Sequence, residues 1–61
     1  MKKVITSKEQ MPYLLAWEKY REIAEIEEKK NNIVWSFMTE DEAIKATRLF
    51  MNIGFEYVQR I

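Results

Sequence analysis

Neither cysteine nor histidine occurs among the 61 residues. Their absence excludes disulfides, thiolate–metal sites and imidazole–metal sites. It also removes the commonest general base and the commonest strong nucleophile. The one glycine, Gly54, cannot build a phosphate-cradling loop. Net charge is missing too, because ten basic residues cancel ten acidic ones. A protein that neutralises phosphates usually carries a basic excess, and the chain is not acidic enough to imitate DNA by bulk charge. No apolar run approaches the length of a membrane span. The basic start at Lys2 and Lys3 could open a signal peptide, but Ser7, Lys8, Glu9 and Gln10 interrupt the apolar run that would have to follow. The expectation is a cytoplasmic protein that works without cofactor, metal or membrane.

What remains is carboxylates, hydroxyls and a heavy aromatic load. Glu18 and Glu22 sit one helical turn apart, but beside Lys19 and Arg21 such a pair reads as a solvated charge face. Glu40, Asp41 and Glu42 could suggest a cation site, yet capping of a helix accounts for all three and no EF-hand spacing accompanies them. An enzyme is not expected. The aromatic load is two tryptophans, three tyrosines and three phenylalanines in a chain that makes one domain, residues 1–61. Domains this small bury only about 60% of the surface their unfolded chains expose. They usually add a disulfide, a metal or a partner; with the first two excluded, unusually good packing or a partner chain remains, and the aromatic load favours the partner.

Residues 33–42 carry the most specific local signal. Ile33, Val34, Trp35, Phe37 and Met38 read as a strand that is apolar on both faces. Thr39 then caps a helix, with Glu42 positioned to reach back to the Thr39 amide as a capping box. That helix spans 40–53, with Ala43, Ala46, Thr47, Phe50 and Ile53 inward and Gly54 at the left-handed C-terminal position. Residues 55–61 alternate loosely, as a half-buried terminal strand does. Val4, Ile5 and Thr6 suggest a short first strand. Pro12 belongs in the first turn of a helix, so the spacing predicts a first helix over about 12–30. Tyr13, Ala16, Trp17, Tyr20, Ile23 and Ala24 would face the core, and Asn31 and Asn32 would end the helix in the left-handed conformation. Leu15 and Ile26 fall together on a flanking face, and Leu14 points away from both.

The expected fold is therefore α/β (α+β), a small β-α-β-α-β domain with parallel neighbours joined by right-handed crossovers. Two arrangements compete. A central first strand would put the helices on opposite faces. A central middle strand would give a three-stranded sheet with both helices mainly on one face. The apolarity of the middle strand favours the second. The segment from Val34 to Val58 also resembles the repeating unit of ferredoxin-like regulators in its strand, capped helix, glycine and strand.

Helices on one face leave the other face of the sheet bare, and a contiguous apolar patch there marks a binding surface. The partner-binding residues expected on this reasoning are Trp35 and Phe37 as anchors, Tyr57 beside them, and Leu15 with Ile26 as a second surface. The plain account of the last two is that small domains leave some apolar side chains exposed. The function expected is non-catalytic protein interaction, an inhibitor or adaptor docking on a larger protein or pairing with a second copy as a homodimer. In size and composition the chain is similar to small accessory proteins of phages and mobile elements, a likeness of type that carries over no residues. The alternative is single-stranded nucleic-acid binding on an aromatic sheet face, although the RNP1 pattern is absent.

Overall fold

The computed structural model describes residues 2–61. Its elements run β1 (Lys3–Thr6), α1 (Gln10–Tyr20), β2 (Ala24–Glu28), β3 (Ile33–Phe37), α2 (Glu40–Ile53) and β4 (Val58–Arg60). The class is α+β as expected, but the sheet has four strands in the order β2-β3-β1-β4. Every neighbouring pair is antiparallel, in place of the parallel neighbours the sequence suggested. The order is that of two interleaved split β-α-β units, the ferredoxin-like arrangement. β3 is interior, and so is β1, which the sequence had suggested for an edge.

The extra strand comes out of the predicted first helix. α1 stops at Tyr20, a tight turn follows in which Ile23 N–H donates to the Tyr20 carbonyl at 3.1 Å, and β2 begins at Ala24. Ala-Glu-Ile-Glu-Glu consists mainly of good helix formers, but it also alternates. Ala24 and Ile26 can face a core while Glu25 and Glu27 face water. Pairing of Ile26 with Trp35 decides between the two periods. Asn31 and Asn32 serve a hairpin turn instead of a helix end, closed by Lys29 N–H on the Asn32 carbonyl at 2.7 Å. Neither adopts the left-handed conformation expected of it, since Gly54 alone among the described residues has positive φ.

α2 has the predicted bounds. Glu42 N–H donates to Thr39 Oγ1 at 3.2 Å, and Gly54 closes the helix at φ 108°. The return arm differs from the expected capping box, because the Glu42 carboxylate accepts from the Thr39 hydroxyl at 3.3 Å and not from its amide. α1 begins earlier than predicted. Glu9 precedes its first residue, so Pro12 occupies the third helical position. Its missing N–H still falls among the four that have no intrahelical acceptor. β4 is shorter than predicted, and Phe55 turns under the sheet to join the core.

Both helices cover one face. The buried strand residues all share one face: Val4 and Thr6 from β1, then Ile33, Trp35 and Phe37 from β3. Trp35 lies at the centre, with no exposed surface, its ring 4.9 Å from Phe50 of α2, 6.1 Å from Tyr13 and 6.5 Å from Tyr20 of α1, and 6.3 Å from Phe55. Its indole N–H donates to Thr6 Oγ1 at 2.9 Å, so burying two polar groups leaves neither unpaired. Aromatic pairs of this kind add about 0.5–1.5 kcal/mol each beyond burial. Six of the eight aromatic residues, all but Trp17 and Tyr57, join this one core.

Candidate protein-binding surface

An α-helix that packs on a sheet shows one apolar side, and the opposite side is normally polar. α2 follows this rule. It buries Ala43, Ala46 and Phe50 and turns Asp41, Lys45 and Arg48 to water, with Met51 as its one exposed large apolar residue. α1 does not. It buries Pro12, Ala16 and Tyr20, yet Met11, Leu14 and Leu15 are 69%, 48% and 56% exposed. At helical spacing these three lie on adjacent turns of the outer side, bordered by Gln10 and Glu18. Trp17, half-buried on the flank, is covered by the Arg21 guanidinium 5.2 Å from its ring.

The residues expected to bind a partner do not come together. Trp35 and Phe37 face the helices, at 0% and 6% exposure, so neither can anchor anything on the open sheet face. β3 alternates between buried and half-buried residues, and Trp35 and Phe37, expected as anchors on the open side, take the inner one. Ser36 marks the outward side of that strand, together with Val34. Ile26 sits half-buried against the core from β2, while Leu15 is on the far side of α1, so the two share no face. Tyr57 is exposed just before β4, its hydroxyl hydrogen-bonded to Gln59. Of the three aromatics that suggested a base-stacking platform, Trp35 and Phe37 are inside and Tyr57 alone is exposed. The open face presents Ile5 and Val34 at its centre, Glu25 and Glu27 along β2, and Lys3 and Gln59 on the other side. Of the surface that α1 does expose, Leu15 was foreseen and Met11 was not. Leu14 was seen to fit neither apolar side, which is the signal that would have found this surface.

Two hollows flank the turn between α1 and β2. The larger, about 850 Å³, is lined by Ile23, Ala24, Phe37 and Met38 together with Glu22, Glu25 and Glu42. The smaller, about 400 Å³, lies between the helices and includes Tyr20, Leu49, Lys19 and Lys45. Burial and the negative charge of Glu42 push the Tyr20 phenol above its ordinary value, so it stays neutral through the physiological range. At the other end of α1, the Ser7 hydroxyl donates to Glu9 Oε1 at 2.6 Å and holds that carboxyl below its ordinary value, more than burial raises it. Ser7 also exchanges hydrogen bonds with the Tyr57 backbone at 3.1 Å, which ties the start of α1 to β4.

Among the described residues no group of three or more acidic side chains is placed to hold a metal ion, and no buried polar side-chain atom lacks a partner. No helix among them is long and apolar enough to cross a membrane. Comparison with known proteins adds no constraint, because no family model, curated protein or solved structure matches the chain.

Proposed function

We propose that this chain is a non-catalytic protein-interaction module, an inhibitor or adaptor that docks on a larger protein through the outer side of α1. The observation that carries the reading is the exposure of Met11, Leu14 and Leu15 together on a helix whose inner side is already fully used by the core. Methionine, leucine and a neighbouring tryptophan can fill a groove on a partner in the manner of an amphipathic helix, with anchors one turn apart. The area is small, so affinity would rest on these few anchors and on contacts around them.

The test compares wild type with Leu14→Glu/Leu15→Glu in affinity capture from the cells that make the protein, with the mass of each measured by sedimentation equilibrium. The proposal expects a wild-type monomer that retains one larger protein, and a folded double variant that does not. A wild-type dimer that the double variant dissociates would make a second copy the occupant. Retention of the same protein by the double variant would overturn the reading.

A further inference from the structure

β2 is an edge strand, and the hydrogen-bond alternation of its hairpin fixes which backbone groups are free. Lys29 donates to Asn32 at the turn. Antiparallel pairs alternate between bonded and non-bonded, so Glu27 with Val34 and Glu25 with Ser36 are the bonded pairs that follow in this register. Phe37 N–H, directed to the Lys2 carbonyl at 2.8 Å on the opposite side of β3, agrees with that phase. Ala24, Ile26 and Glu28 therefore turn their N–H and C=O groups outward, away from the sheet. An edge with three such residues is a template for another strand.

Its side chains decide which strand. Self-pairing of two β2 edges, antiparallel about Ile26, would set Glu25 of one copy opposite Glu27 of the other, and like charges directly opposed are destabilising. The edge rejects its own copy. The hollow at the start of β2 sets the apolar side chains of Ile23, Phe37 and Met38 beside the carboxylates of Glu22, Glu25 and Glu42. The three ion pairs among the described residues hold Glu27, Glu28 and Glu40, so none of the hollow's carboxylates has a basic partner within 4 Å.

We infer that the β2 edge receives an extended basic segment of a different protein as a fifth strand, with a Lys or Arg beside Glu25 and an apolar side chain in the hollow. Backbone bonds to Ala24, Ile26 and Glu28 supply the alignment, and the carboxylates of the hollow supply the choice of charge. This surface is separate from the outer side of α1 and does not depend on it.

The experiment selects 12-residue random peptides displayed on phage against the immobilised protein. The strongest are then synthesised and titrated against wild type, Glu22→Lys/Glu25→Lys and Leu14→Glu/Leu15→Glu. Enriched peptides should alternate Lys or Arg with apolar residues. They should lose at least tenfold in affinity to the first variant and nothing to the second. On binding, the amides of Ala24, Ile26 and Glu28 should become protected from hydrogen exchange, while those of Glu25 and Glu27 are protected already. Should charge reversal disturb folding, Glu25→Gln serves with the same expected direction. No enrichment, enrichment of acidic peptides, undiminished binding to the charge variants, or protection changes confined to Met11–Leu15 would each overturn the inference.

Discussion

The two helices of this protein pack on the same face of the same sheet and spend their residues differently. α2 is sharply divided, with small residues and Phe50 against the sheet, charges outside, a hydroxyl cap at Thr39 and a glycine stop at Gly54. α1 has no side-chain cap at Glu9, ends without a glycine at Arg21, and carries large apolar residues all round. In α2 every distinctive residue but the exposed Met51 is explained by folding. In α1 the residues on the inner side are explained by folding, and Met11, Leu14 and Leu15 are left over. Apolar surface that folding does not use is where a partner is sought.

The contrast can be broken by substitution, and the largest effect belongs to α2. Phe50→Ala empties a site that contacts Tyr20, Trp35 and Phe55, and should cost about 3–5 kcal/mol in urea unfolding, enough to unfold much of so small a domain. Leu15→Ala in α1 should stay within about 0.5 kcal/mol of wild type. Equal losses from both would make the outer side of α1 part of the core. Next in size is Gly54→Ala. Its Cβ would meet only Pro12 Cγ, at 3.8 Å, so the cost is the left-handed backbone at φ 108°, about 1–2 kcal/mol in thermal or urea unfolding. Thr39→Ala should cost about 1 kcal/mol through loss of the α2 cap, and Thr39→Ser should restore most of it.

The smallest effect is at the start of α1 and depends on pH. Glu9 has a depressed folded-state value, so its contribution is present above the ordinary carboxylate value of 4.5 and is lost as pH falls below that, through the folded value. Stability profiles across the acid range should lose this component in Ser7→Ala, because the Ser7 hydroxyl is the main cause of the shift. An unchanged acid slope in Ser7→Ala would remove Ser7 from that role.

How far these features could be read from the sequence follows the same division. α2 was legible to the residue, since Thr39, the acidic first turn and Gly54 are local signals that need no knowledge of the rest of the chain. β2 was not, because Ala24–Glu28 satisfies both a helical and an alternating pattern, and the tie is broken only by pairing with β3, a tertiary fact. The inward direction of Trp35 was within reach. Its neighbour Ser36 is the one polar residue of β3 and sits on the outward face. The candidate surface was partly visible in Leu15, but its pairing with Ile26 assumed a helix that had already ended at Tyr20.

The central claim, that the outer side of α1 is a docking surface and the outer side of α2 is not, is tested most directly by site-specific photo-crosslinking in the cells that make the protein. A benzophenone side chain is placed at Leu14 in one variant and at Lys45 in another. The account predicts a discrete adduct with a larger protein from position 14 and none from position 45. Adducts of equal yield from both positions, or from position 45 alone, would contradict it.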